Sequence, residues 1–294
     1  MEDRTVSEMI RLLALDLDGT TLNSHGIVPD ANREAIRAAE ERGVLVTIAT
    51  GRRFRDAQPV ALDLELNAPL ITHNGGLLKY ADSMATVAFS LLPTETALEI
   101  ITLGKNLGGD ALVSTDPHGR GTLLYDRVSA DNKPLQKYIT WAATLHGDEA
   151  DRSVAHVSTL EETVHQHEVV HISFSGTCKA MYELETGLRS SLGASVTILA
   201  TVYTRLDFTL LDILPHDASK GFGVAKLAEI NSIAQDEVMT IGDNFNDIEM
   251  LEYAGTPVVM GNADPGLLER GEFYTTLSND EGGVAAAIER FILS

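Results

Sequence analysis

The sequence predicts an α/β fold, a doubly wound parallel sheet built from both ends of the chain with an α+β domain inserted between them. Three observations point there. Short, continuously apolar runs lie near both ends, at residues 12–15, 44–49, 69–71, 238–241 and 256–260. Runs of that length without alternation suit strands covered on both faces, as in parallel sheets. Amphipathic stretches separate them, giving strand–helix–strand units. The residues between lose that rhythm over a length sufficient for a domain of their own.

Taken in order, residues 12–15 form the first strand. Residues 30–42 form a helix with Ile36 and Ala39 on one face, Asp30 as its N-cap and Gly43 just past its end. Residues 44–49 and 69–71 return to the sheet. Near the C-terminus, strands at 238–241 and 256–260 flank a helix from about 247 to 253 that Gly255 stops, and 221–230 and 284–293 read as helices. In the middle, 93–107, 135–145 and 180–192 look helical, while 111–114, 122–125, 169–175 and 195–199 look like strands. The expected division is a discontinuous core of residues 1–90 and 212–294 with an insert of residues 91–211.

Composition narrows the function. A chain of 294 residues, 44% hydrophobic and 22% charged, buries a sizeable core and is not disordered. Its net charge of −21, from 22 basic and 43 acidic residues, repels phosphate backbones and speaks against a nucleic-acid partner. A site for an anionic substrate must then gather positive charge locally, from a metal, a lysine and backbone N–H groups. Cys178 is the single cysteine, so no internal disulfide forms. Residues 1–11 lack the apolar stretch of a signal peptide, and no run approaches the ~18 apolar residues of a membrane span. A soluble, cytoplasmic protein with no membrane partner is expected.

The chemistry concentrates at strand ends. The run 12–15 ends in Asp16-Leu17-Asp18-Gly19-Thr20, two carboxylates two positions apart, which share a direction if the extended chain persists. Ligands of open parallel sheets bind at such carboxyl ends. A turn with solvated acids explains Gly19 but not both acids. The strand 238–241 likewise ends in Gly242-Asp243-Asn244-Phe245-Asn246-Asp247. Magnesium takes oxygen ligands in an octahedral shell, so a carboxylate from each of two neighbouring strand ends would suit it. Asn246-Asp247 also suits a helix cap, and the two roles are compatible. Thr50-Gly51-Arg52 follows the strand 44–49, and Ser219-Lys220-Gly221 opens a helix. Each is an ordinary turn or cap in isolation.

In this order, spanning nearly the whole chain, the motifs resemble those of the haloacid dehalogenase (HAD) superfamily, in its Cof-type phosphatase branch with a large α+β cap. Asn74-Gly75-Gly76 resembles a segment of the same branch. The resemblance implies a HAD-like core and a magnesium-dependent hydrolase of phosphoric monoesters. It makes Asp16 the nucleophile and Asp18 the general acid/base. Leu17, Thr50, Gly51, Lys220 and Asn246 would bind the substrate. Asp16, Asp18 through its carbonyl, Asp243 and Asp247 would form or support the metal site. The implied partner is a small phosphorylated metabolite, a sugar phosphate foremost, with the inserted domain as a cap over the site.

One departure stands out: the family's glycine upstream of the lysine is missing from His216-Asp217-Ala218-Ser219, which puts the reach of Lys220 in question. A phosphotransferase or phosphomutase could use the same aspartyl-phosphate. A catalytically silent phosphate-binding regulator would need no acid/base group, so Asp18 argues against it. His165, His167 and His171 have the alternation of a zinc site but no cysteine partner, and read as structural. Trp141 reads as core. His118, Arg120 and Tyr125 are the candidate cap residues for the leaving group.

Overall fold

The computed structural model describes residues 9–294, so most of the segment 1–11 lies outside the described residues. The chain divides into two compact units, one from residues up to 52, 57–83 and 219–294, the other from 53–56 and 84–218.

The first unit is built on a five-stranded sheet in the order Tyr274–Thr275, Thr256–Val259, Val238–Gly242, Leu12–Leu15, Leu45–Ile48, parallel throughout. Leu12–Leu15 is central, and its four side chains are entirely buried. That explains a run with no polar alternation, and each buried leucine contributes about 2 kcal/mol. Leu15 is in register with Ile241 on one side and Ile48 on the other. Beyond Ile48, Ala49 bridges to Ile71, and the Thr50 N–H donates to the Ile71 carbonyl at 2.8 Å. The strand Leu70–Thr72 thus continues the order. Asp16, Thr50 and Asp243 therefore leave the sheet side by side at its carboxyl edge.

The helices come close to expectation. Asp30–Glu41 buries Ile36 and Ala39, but its N-cap is Pro29, and Asp30 is the first helical residue with no side-chain cap bond. A carboxylate there still faces the positive end of the helix dipole. Gly43, at φ +86°, follows the C-cap Arg42 as expected. Lys220–Ile230 is capped by Ser219, whose Oγ accepts the Phe222 N–H at 3.1 Å. Ile248–Tyr253 begins after a 3-10 turn at Phe245–Asp247. It ends where Ala254 turns extended, not at Gly255, whose place is set by closeness, since a Cβ there would lie 2.5 Å from Asp236 Cα. The last helix, Gly283–Ile288, ends in a π-helical turn at Glu289–Leu293.

The second unit is a six-stranded sheet in the order Val196–Tyr203, Phe208–Pro215, Val169–Gly176, Leu112–Thr115, Thr122–Tyr125, Val154–His156. All neighbours are antiparallel except the last pair. Ile100 and Ile101 of the helix Thr94–Asn106, and Leu184 and Leu188 of the helix Cys178–Leu192, form a core with Phe174 and Ile213 of the sheet. Two expectations need correction. The strand predicted to end at Leu199 runs to Tyr203, because it pairs along its whole length with Phe208–Pro215, a strand the sequence reading did not find. Trp141 is not core: 44% of it is exposed, and it leans on Tyr138 with ring centroids 5.8 Å apart. The histidines do not gather. His165 and His167 are exposed, whereas His171 is buried 3.7 Å from Asp212, where desolvation pushes its imidazole down to about 3.

Among the cap candidates, His118 lies 3.3 Å from Glu168, Arg120 donates to Glu149 at 3.0 Å, and the Tyr125 ring meets His156 edge-on. No helix among the described residues is long and apolar enough to cross a membrane.

Gly75 ties this scaffold to the chemistry. It has φ +95°, and a Cβ would stand 1.9 Å from the Ser219 carbonyl oxygen, one residue before Lys220. Gly75→Ala is expected to destabilise by at least ~1 kcal/mol, read as a lowered urea midpoint, because both the backbone angle and the space are lost. An unchanged midpoint would show that the turn can relax away from the Lys220 helix.

Candidate active site

The extended chain stops at Leu15. From Asp16 it folds into a tight turn in which the Thr21 N–H and Leu22 N–H donate to the carbonyls of Asp16 and Leu17, at 3.2 and 2.9 Å. The Thr21 hydroxyl adds a second bond to the Asp16 carbonyl at 2.6 Å. Strand alternation therefore does not govern the two acids. Asp16 is buried, while the Asp18 side chain is 54% exposed and turned to another partner.

At the centre is Lys220. Its Nζ donates to Asp16 Oδ1 at 2.5 Å and to Asp247 Oδ1 at 2.6 Å, and all three side chains are buried. The missing upstream glycine does not limit its reach. The turn closes instead through the Ala218 N–H to the Pro215 carbonyl at 3.0 Å, with Ala218 itself buried. Asp247 is committed on both oxygens, because its Oδ2 accepts the N–H groups of Asp243 and Asn244 at 2.9 and 3.0 Å. It is at once the cap of its turn and the second anchor of Lys220. Asp243 Oδ1 accepts the Thr20 hydroxyl at 3.3 Å.

Asp16, Asp243 and Asp247 each present a carboxylate oxygen within 4.8 Å of one another, the one such acidic group found among the described residues. Three carboxylates face one ammonium. Burial pushes the Asp16 carboxyl well above its usual range, opposed by Lys220 and reinforced by Asp247 and Asp243. Burial, together with the charge of Asp247, pushes Asp243 up to about 7. Burial alone would lower the Lys220 ammonium, but Asp16 and Asp247 outweigh it and hold it above its ordinary value. Buried excess negative charge of this kind is what a hard divalent cation neutralises, and an all-oxygen donor set suits magnesium. The residues present therefore fit the metal that the motifs imply. The Asp18 carboxylate stands outside the group.

The remaining residues line the same edge. Thr50 is buried, and its Oγ1 accepts the Arg52 N–H at 3.1 Å. A Cβ on Gly51 would meet the Asn74 amide at 3.1 Å, so the bare backbone of Gly51 lets Asn74 approach. The Asn246 Nδ2 donates to Asn74 Oδ1 at 3.3 Å. Leu17 has only a backbone N–H to offer a substrate, since its side chain is buried and its carbonyl is taken.

Two residues quoted within motifs gain a place that spacing did not supply. Arg52 clasps Asp18 with two bonds, Nε to Oδ2 at 2.8 Å and Nη2 to Oδ1 at 2.6 Å. Asn74 holds a left-handed conformation at φ +49°, between His73 at +53° and Gly75. The signal for Asn74 was the Asn-Gly-Gly triplet, where such angles cost least.

At this edge of a doubly wound sheet a buried lysine joins carboxylates from two neighbouring strand exits. Residues 13–288 match the family model for haloacid dehalogenase-like hydrolases. The chain belongs to that family, and to the phosphatases within it that act on phosphoric monoesters. It is 30% identical to the 5-amino-6-(5-phospho-D-ribitylamino)uracil phosphatase YwtE of Bacillus subtilis, over 96% of this chain and 98% of that one. It is also 30% identical to the pyridoxal phosphate phosphatase YbhA of Escherichia coli, over 88% and 91%. A crystal structure of a haloacid dehalogenase-like hydrolase from Bacteroides thetaiotaomicron superposes with a TM-score of 0.78 at 25% identity, covering 96% of this chain and all of that one.

The electrostatics make a measurable demand. A carboxyl raised from 3.8 to about 7 adds stability that is complete below the lower value and is lost as pH rises through the higher one. A cation replaces what is lost, so it must stabilise most where Asp243 is ionised. The rise in Tm on adding magnesium is expected to be larger at pH 8 than at pH 5.5. Equal rises at both values would remove Asp243 from the metal site.

Proposed function

We propose that this chain is a magnesium-dependent phosphatase hydrolysing phosphate monoesters of small metabolites through an aspartyl-phosphate on Asp16. The observation that carries the reading is the buried Lys220 ammonium held between Asp16 and Asp247. Phosphate monoesters react so slowly unaided that enzymes supply accelerations up to ~10²¹-fold, and splitting the task into two displacements is one means. Lys220 fixes the Asp16 carboxylate for attack and offsets its repulsion from the incoming phosphate. As the bond from phosphorus to the Asp16 oxygen forms, the bond to the leaving oxygen breaks, and Asp18 gives that oxygen a proton. Asp18 then takes a proton from water, which attacks phosphorus, releasing inorganic phosphate and restoring Asp16.

A protonated Asp18 cannot keep both charge-assisted bonds from Arg52, so the acid step requires its carboxyl to turn away from that clasp. Thr50, with the backbone N–H groups of Leu17 and Gly51, and Asn246 are assigned to the phosphoryl oxygens. Asp16, Asp243 and the Asp18 carbonyl would hold magnesium, with Asp247 supporting them. The ion would supply positive charge where negative charge builds on the phosphoryl oxygens. The second unit is taken as the cap that selects among leaving groups. Sugar phosphates are the first class to test, and phosphorylated heterocycles, which the names of two relatives carry, are the second. A cytoplasmic location suits such substrates.

The test is turnover on a panel of phosphorylated metabolites and an aryl phosphate, with and without magnesium, beside Asp16→Asn. Magnesium-dependent phosphate release that Asp16→Asn reduces by ~10³-fold or more is expected. Near-normal release by that variant would remove Asp16 as nucleophile.

A further inference from the structure

We infer that Asn262 is a positioning residue for this reaction, latching the turn that carries Asp18 and Thr20 to the strand exit that carries Asp243. The inference rests on the phosphatase reading above. Asn262 lies just beyond the strand Thr256–Val259, two residues before Asp264, whose N–H donates to the Asp243 carbonyl at 2.9 Å. Its own Nδ2 donates to the Gly19 carbonyl at 2.8 Å, and its Oδ1 accepts the Asn279 N–H at 2.7 Å. Asn279 is buried, and its Nδ2 donates to the Leu22 carbonyl at 2.9 Å. The turn after Asp18 is thus held at both ends, Gly19 by Asn262 and Leu22 by Asn279, and the two asparagines are joined to each other.

The latch bears on the reacting groups because of how tightly Gly19 sits. It has φ +82°, and a Cβ would lie 2.4 Å from Asp243 Oδ2, so the Gly19 backbone runs directly against that carboxylate. The next residue, Thr20, donates to the other oxygen of Asp243. A shift of the Gly19 carbonyl therefore moves Asp18 on one side and the Thr20–Asp243 bond on the other.

Asn262 is itself exposed, so burial does not account for its place. Both ends of its amide meet backbone groups of fixed polarity, a carbonyl and an N–H, which sets its orientation and demands an amide. An aspartate has the same shape and keeps the acceptor for Asn279, but it sets an anionic oxygen against the Gly19 carbonyl. Such a turn misplaced by a fraction of an ångström costs rate rather than ground-state binding, because the proton donor and the metal ligand act on the reacting atoms.

The experiment compares wild type, Asn262→Asp and Asn262→Ala by phosphatase kinetics with magnesium, by thermal unfolding, and by amide hydrogen exchange over residues 16–23. Both variants are expected to stay folded. Exchange of the Thr21 and Leu22 amides should rise in both. kcat should fall roughly tenfold or more with KM within about twofold, and Asn262→Asp should be no better than Asn262→Ala. Unchanged exchange would overturn the latch, and faster exchange with unchanged kcat would reduce it to local structure. Full kcat in Asn262→Asp alone would overturn the need for an amide donor. Loss of kcat only in proportion to unfolded protein would also overturn it. A wild type without phosphatase activity would defeat the phosphatase reading first, and the positioning role with it, while exchange would still report whether the latch exists.

Discussion

Everything at the carboxyl edge depends on one buried ammonium. Taking Lys220 out of water together with Asp16 and Asp247 carries a desolvation cost of several kcal/mol per ion, recovered only where geometry is good and the remaining oxygens are satisfied. Both conditions hold. Lys220 meets each carboxylate at hydrogen-bond distance, and the second oxygen of Asp247 is taken by two backbone N–H groups. Removing the ammonium would leave two carboxylates buried against a third, so the lysine is a structural necessity before it is a chemical one. The scaffold serves its placement. Ser219 caps the helix that Lys220 opens, Gly75 makes room for the Ser219 carbonyl, and the central strand delivers Asp16.

The same constraint separates the buried part of the site from the exposed part. Asp16, Lys220 and Asp247 are locked by burial and mutual contact. Asp18 is not. It sits half-exposed in the grip of Arg52, open to the solvent with which a group in its proposed role would exchange protons. On the proposed reading the buried Asp16 would be the nucleophile, and the exposed Asp18, once turned out of the Arg52 clasp, the acid/base.

The core and the positions of the motifs were legible because both are written locally. Four buried leucine and alanine residues ending in Asp16 can be read without knowing their neighbours. Regular spacing could not show where Asp18 points, since the strand ends at Leu15, before either acid. Nor could it show the Arg52 clasp or the Asn262 latch, which join residues 34 and 243 positions apart in the chain. The second unit was less legible for a related reason. The strand Phe208–Pro215 has Asp212 in its middle and is identified by its partners rather than by its own pattern. Trp141 misled because size and apolarity suggest burial, whereas the helix carrying it leaves that face open.

The nucleophilic role of Asp16 can be tested most directly by mass spectrometry of protein quenched in acid during turnover of a good phosphate ester, followed by digestion. The peptide carrying Asp16 is expected to gain the mass of one phosphoryl group, with fragmentation placing it on that carboxylate, and the Asp16→Asn protein should show none. A phosphoryl group on any other residue, or its complete absence while phosphate is being released, would contradict covalent catalysis at Asp16.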